Sequence, residues 1–244
     1  MLEVERVRKA FGGLLANKDV SLRVPAGGIY GLIGPNGSGK TTLFNSIVGH
    51  HPVDAGSIRF EGREISRLRV PQIARLGLLR TFQQTRIYGR MTCVQNMVIS
   101  VPTAELDWRT MFQRTPEADA QKADELLEFV GLYPKRHLRA GDLSFGQQKL
   151  LELAMALMSR PRMLLLDEPT AGINPTLING LLERLRRINQ QFGITLLIIE
   201  HNMRVIMDLA GYVYCLAHGE LLAEGKPAEI QRDPRVLDAY LGAR

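Results

Sequence analysis

The stretch Gly34-Pro35-Asn36-Gly37-Ser38-Gly39-Lys40-Thr41 reads G-x-x-x-x-G-K-T, the pattern of a loop that holds nucleotide phosphates. Such a loop needs a strand before it and a helix after it. Both flanks are present: Gly28-Ile29-Tyr30-Gly31-Leu32-Ile33 is a short apolar run, and residues 40–48 are helix-compatible up to a stop at Gly49. Glycines let the backbone curl until several N–H groups converge on one anion, and the positive end of the following helix adds its attraction. Gly34, Pro35, Asn36, Gly37, Ser38 and Gly39 are therefore expected to cradle phosphates, with Lys40 reaching the β- and γ-phosphates. Thr41 would offer a hydroxyl to Mg²⁺, and Thr42 another to the α-phosphate side.

A chain of 244 residues can bury a sizeable core, as one large α/β domain or as a domain with an inserted subdomain. The two cysteines, Cys93 and Cys215, fit no metal or redox spacing and read as reduced, half-buried hydrophobes of a cytosolic protein. Met1-Leu2-Glu3-Val4-Glu5 starts with acids rather than as a signal peptide. No run approaches the ~18 apolar residues of a membrane span, so the chain is expected to be soluble by itself. The net charge of +6, from 31 Lys+Arg against 25 Asp+Glu, suits nucleotides, nucleic acid or a lipid surface without choosing among them. One stretch departs from that average: residues 65–104 hold no Asp or Glu, while Arg67, Arg69, Arg75, Arg80, Arg86 and Arg90 recur.

Residues 2–7, 20–24 and 56–62 read as strands of a small, mainly antiparallel sheet around the phosphate loop. Phe11, in the connection between the first two, is either a ring that stacks on a base or a plain core residue. A short helix at 71–76 precedes a strand, 78–84, that runs into polar residues at Gln83 and Gln84, where a site residue often sits. Residues 94–137 carry no strand pattern; they hold Trp108, read as a packing residue, and a charged helix at about 117–130. The later half alternates: helix 144–158, strand 163–167, helix 175–191, strand 194–199, a helix near 203–209, a hairpin turning at His218-Gly219, and two short helices from Pro227 and Pro234. Strand, helix, strand implies a parallel sheet. The expected fold is thus α/β: a P-loop NTPase core with a parallel sheet, an N-terminal antiparallel β subdomain and an inserted α-helical subdomain. The core is expected over residues 1–90 and 160–244, the insertion over 91–159.

Met163-Leu164-Leu165-Leu166-Asp167 is an apolar strand ending in Asp167-Glu168, two carboxylates at the end of the sheet where ligands bind. With Pro169 forcing a turn both can face the site, Asp167 toward the Mg²⁺ shell and Glu168 toward the attacking water. Ser144 with Gln147 three residues later is a capping box, and that helix start, with the backbone N–H opened by Gly146, is also an anion site. His201, just past a buried strand, is placed to touch a γ-phosphate or to serve as an ordinary hydrogen-bonded histidine.

Taken in order, the phosphate loop, the strand-end Gln83, Leu143-Ser144-Phe145-Gly146-Gln147, the strand ending in Asp167-Glu168, and His201 resemble the ATP-binding subunit of ATP-binding cassette transporters. The resemblance covers essentially the whole chain. It implies that Phe11 stacks on adenine, that Gln83 links the Mg²⁺ site to the helical subdomain and supports catalysis, and that Ser144, Gly146 and Gln147 cap the ATP held by a partner. It further implies ATP hydrolysis by Glu168 with His201 and Lys40, and a head-to-tail ATP-sandwich dimer with an identical copy or a paralogue. Transmembrane permease subunits are implied too, with an extracytoplasmic solute-binding protein acting indirectly and a place on the cytoplasmic face of the plasma membrane; no nucleic acid is expected. Two positions depart from the pattern: Phe145 replaces a glycine, and Asn174 stands where an aspartate is usual, although Asn174 can still cap the helix whose first residue is Pro175. The aromatic signature segment, the long insertion and the ending Asp233-Pro234-Arg235-Val236-Leu237-Asp238-Ala239-Tyr240-Leu241-Gly242 look most like the branched-chain amino acid importer subgroup. Urea or amide importers, lipopolysaccharide-export ATPases and soluble cassette ATPases remain the alternatives.

Overall fold

Leu2 and Val4 are buried in alternation along β1 (Leu2–Phe11), and Val7 and Lys9 resume it after a register shift, the pattern that lays one face of a sheet on a core. In the computed structural model, which describes residues 1–81, 87–101 and 116–241, β1 pairs antiparallel with β2 (Leu14–Val24) and with β4 (Ala55–Phe60). β5 (Arg63–Glu64) closes this four-stranded sheet, in the order β2-β1-β4-β5.

The second sheet is built differently. β3 (Ile29–Ile33), β6 (Leu78–Arg80), β7 (Met163–Asp167) and β8 (Thr195–Ile199) run parallel, as does β9 (Tyr212–Ala217), which turns through His218 and Gly219 into antiparallel β10 (Glu220–Gly225). The order is β10-β9-β3-β8-β7-β6. Every residue of β7 and β8 is buried, because a parallel sheet is covered on both faces and its strands have no solvent side. This corrects one expectation. The phosphate loop leaves β3 and therefore belongs to the parallel sheet; the antiparallel sheet only reaches it from the side, through Ala16 and Asn17 on β2.

After the loop comes α1 (Lys40–Ile47), whose Leu43, Phe44 and Ile47 join one core cluster with Leu2, Val20, Ile58, Leu165 and Leu216 from both sheets. Then follow α2 (Val70–Arg75), α3 (Cys93–Ile99), α4 (Pro116–Phe129), α5 (Phe145–Met158), α6 (Pro175–Phe192), α7 (Met203–Leu209), α8 (Pro227–Ile230) and α9 (Pro234–Leu241). The chain divides into two units: Met1–Arg80, Arg162–Pro169 and Leu185–Arg244 make the first, Thr81–Pro161 and Thr170–Arg184 the second. The first holds both sheets; the second holds α3, α4 and α5 and extends beyond 91–159 at both ends.

The strand expected over 78–84 ends at Arg80, and Gln83 and Trp108 lie outside the described residues. Cys93 and Cys215 are fully rather than half buried, both free thiols; burial pushes Cys215 up to about 11, so it stays protonated. No described helix is long and apolar enough to cross a membrane.

Candidate functional site

β3 sits between β8 and β9, so the residues that leave β3, β7 and β8 emerge side by side at the carboxyl end of the sheet. From β3 emerges the phosphate loop. Gly34 has φ 146°, and a Cβ built there would stand 2.0 Å from the Leu216 carbonyl oxygen on β9. Gly39 has φ 98°, and its Cβ would stand 2.3 Å from the Ala16 carbonyl oxygen. Neither position admits a side chain, which is why the sequence places glycine at both. The loop is then tied from several directions. Asn17 Nδ2 donates to the Gly39 carbonyl at 3.1 Å, the Gly219 N–H to the Ser38 carbonyl at 3.2 Å, and the Gly34 N–H to the Tyr240 hydroxyl oxygen at 2.8 Å. Gly39 is the N-cap of α1 and no side chain caps that end, so the helix turns its N-terminal N–H groups toward the loop.

Lys40 is buried, and its Nζ donates to the carbonyls of Gly34 and Pro35 at 2.8 and 2.9 Å and to Ser38 Oγ at 3.2 Å. Burial pulls the ammonium below its ordinary pKa, while the carboxylates of Glu168 and Asp167 oppose that loss of charge. The lysine is thus held ready at the loop, among neutral oxygens, with two carboxylates in its field.

Asp167 ends β7 and is almost wholly buried; its Oδ2 is paired with Arg80 Nη2 from β6. Arg80 also donates from Nη1 to Asn45 Oδ1 at 2.5 Å and stands over the Phe44 ring at 5.7 Å, while its Nε has no hydrogen-bond partner among the described residues. The turn expected at Pro169 begins one residue earlier. Glu168 itself has φ 49°, an uncommon conformation for a residue with a side chain, while its N–H still continues the ladder to the Ile199 carbonyl at 2.9 Å. That turn swings the Glu168 carboxylate onto His201 Nε2. With the carboxylate ionised it can only accept, so the imidazole donates. Glu168 and His201 are therefore brought together, a carboxylate oriented by a ring, a contact the sequence reading did not state because it gave the two residues separate roles.

Thr41 is exposed and Thr42 half-buried at the start of α1. Phe11 lies at the end of β1 and is 43% exposed, which removes the core alternative; its ring meets His51 edge-on at 5.2 Å. In the second unit, Ser144 is the N-cap of α5: its Oγ accepts the Gln147 N–H at 3.4 Å and Gln147 Oε1 accepts the Ser144 N–H at 3.1 Å, the expected capping box. Gly146 faces outward from that turn with only Leu177 Cδ1 and Ile173 Cγ2 at ordinary contact distance. Asn174 Oδ1 accepts from the Thr176 N–H at 3.1 Å, so the cap survives the replacement of an aspartate. Phe145 packs against Gly172, where a side chain would collide with its ring at 2.8 Å; the unusual aromatic thus has a partner built for it.

The residues fit a nucleotide and a hard divalent cation. The cradle leaves no space for a side chain at Gly34 or Gly39, and the hydroxyl of Thr41 with the carboxylate of Asp167 is an oxygen donor set of the kind Mg²⁺ takes together with substrate phosphates. Among the described residues no cluster of three or more His, Cys, Asp or Glu makes a metal cage of protein ligands alone. Three contributors escape the sequence reading: Asn17, Arg80 and Tyr240. Only Arg80 carried any signal, and it read as one of a basic surface series.

The family described as "ABC transporter" matches residues 17–171, and that described as "Branched-chain amino acid ATP-binding cassette transporter" matches residues 220–244. The chain is 38% identical over 249 residues to the high-affinity branched-chain amino acid transport ATP-binding protein BraF of Pseudomonas aeruginosa, covering 99% of this chain and 98% of that protein. It is 35% identical to the LivG protein of the same description from Escherichia coli, again over 99% and 98%. Among solved structures, the ADP conformation of an ATP-binding cassette of an ABC transporter aligns with TM-score 0.89 and 34% identity, covering 99% of this chain and 98% of that one. A dimeric bacterial ABC transporter cassette shares the fold at TM-score 0.78 and 23% identity, over 93% and 99%.

Proposed function

We propose, on the premise that this chain belongs to the ABC transporter family and is an ATP-binding subunit whose ATP hydrolysis is coupled to transport, that it powers an importer for branched-chain amino acids. The observation that carries the catalytic part is the Glu168 carboxylate held on His201 Nε2 at the strand ends beside Lys40. The substrate class rests on the match of residues 220–244 and on the descriptions of the full-length relatives.

In this reading Lys40 and the loop N–H groups neutralise the phosphates, and Phe11 stacks on the adenine. Glu168 orients the attacking water and takes its proton, while His201 fixes the carboxylate and contacts the γ-phosphate. Thr41 and Asp167 would hold Mg²⁺, with Gln83, outside the described residues, as a further ligand; the ion would supply charge neutralisation on the phosphoryl oxygens. Ser144, Gly146 and Gln147 cap the ATP of a second ATP-binding subunit, with the Ser144 hydroxyl and the Gly146 N–H as donors because the capping box already takes the N–H groups of Ser144 and Gln147. The pair drives transmembrane permease subunits from the cytoplasmic face of the plasma membrane, and an extracytoplasmic solute-binding protein supplies the amino acid.

Glu168→Gln tests the catalytic core. It keeps the shape and removes the base, so ATP affinity should stay while hydrolysis falls at least about 100-fold and an ATP-bound dimer accumulates. Hydrolysis at the original rate would sink the assignment. Reconstitution with the permease and solute-binding partners in vesicles should give ATP-dependent uptake of leucine, isoleucine or valine; uptake of urea or an amide instead would refute the substrate class.

A further inference from the structure

We propose that Tyr240, on the C-terminal helix α9, is a positioning residue for the phosphate loop: its hydroxyl oxygen takes the Gly34 N–H at 2.8 Å and fixes the loop's first residue from a point 206 residues along the chain. Gly34 is where the backbone leaves the sheet. The pairing of β3 with β9 ends at Ile33 opposite Cys215, and that with β8 ends at Leu32 opposite Ile199, so the Gly34 N–H lies beyond both ladders. A buried N–H outside a ladder needs another acceptor, and Tyr240 is that acceptor. The carbonyl of the same residue is held by Lys40 Nζ at 2.8 Å.

The two holds differ in what happens when phosphate arrives. Lys40 has to turn from the Gly34 and Pro35 carbonyls toward the ligand, and the Tyr240 bond is then what keeps Gly34 in place. The Leu216 carbonyl crowds Gly34 where a Cβ would stand, and the Tyr240 bond adds a hold on its N–H. Its own platform is firm: Val236, four residues earlier on the same face of α9, is 2% exposed, and Asp233 Oδ1 accepts the Arg235 N–H at 2.9 Å at the helix start. Burial pushes the Tyr240 phenol up to about 12, so the acceptor stays neutral throughout the physiological range. The segment that matches the branched-chain amino acid family, residues 220–244, thereby reaches into the loop that the general cassette match, residues 17–171, contains.

The inference rests on the loop's binding ATP, which Lys40→Ala checks separately by abolishing binding. Tyr240→Phe keeps the ring and removes only the oxygen. The expected result is an ATP KM and Kd raised about three- to tenfold, the value of one hydrogen bond, with kcat within twofold of the unaltered protein. Leu237→Ala, on the same helix but 48% exposed, alters the helix without removing the platform under Tyr240 and should leave KM within twofold. An unchanged KM in Tyr240→Phe, or an equal rise in Leu237→Ala, would overturn the proposal. Amide exchange read by NMR on the unaltered full-length chain gives an answer that survives a misfolded variant: Gly34 should exchange slowly, and exchange at the rate of an open loop would refute the bond.

Discussion

The phosphate loop and the helix start at Ser144 both present backbone N–H groups at the beginning of a helix, yet they are held in opposite ways. At Ser144 the polar groups are satisfied within three residues, by a capping box between Ser144 and Gln147. The loop has its own Lys40 on the Gly34 and Pro35 carbonyls, but it also depends on strangers: Asn17 from β2, Gly219 from the hairpin tip and Tyr240 from the last helix. A locally held turn keeps its shape whatever surrounds it and can act as a preformed surface. A remotely held loop has a shape only when the whole unit is folded, so damage far away reaches it.

The strongest way to break this contrast is Gly34→Ala. The added methyl meets a backbone oxygen at 2.0 Å, so β9 or the loop must shift; a loss of about 4 kcal/mol or more in urea unfolding is expected, with ATP binding gone. Unaltered stability would show that the loop is not clamped. Next comes Arg80→Ala, which strands the Asp167 carboxylate in the interior and should cost about 3–5 kcal/mol by the same measurement. Asn17→Ala removes the donor to the Gly39 carbonyl and should cost about 1–3 kcal/mol, together with a measurable rise in ATP Kd although Asn17 touches no nucleotide. On the local side, Ser144→Ala should cost only about 1 kcal/mol. Gly146→Ala gives the smallest change and the opposite sign: its methyl makes only ordinary van der Waals contact with Leu177 and Ile173, and a helical alanine stabilises by about 0.5–1 kcal/mol. Should Gly146 face a partner's nucleotide, ATP-driven dimerisation measured by light scattering must weaken in this more stable variant.

The same contrast decides what could be read in advance. β7 over Met163–Asp167 and α7 over Met203–Leu209 stand where the residues place them, because apolar runs, caps and turn residues act within a few positions. The capping box was legible for that reason, and so was the hairpin at His218-Gly219. That Glu168 and His201 each follow a strand was legible, but the bond between the two side chains was not. Arg80 was misread because charge counting treats every arginine of an acid-free stretch alike, whereas a buried carboxylate across the sheet had claimed this one. Tyr240 left no signal at all: nothing in eight residues of helix tells which backbone N–H, two hundred positions earlier, will lack an acceptor.

Lys40 carries a last consequence. Its ammonium is already saturated by three oxygens of its own loop, so taking up a ligand is an exchange reaction in which old partners must be given up for new ones. Neutral carbonyls and a hydroxyl are modest competitors, and only an acceptor bearing several full negative charges outbids them by a wide margin. The resting arrangement thus works as a threshold filter. Weakly charged ligands gain little over what the lysine already has, while a polyphosphate gains enough to turn it outward.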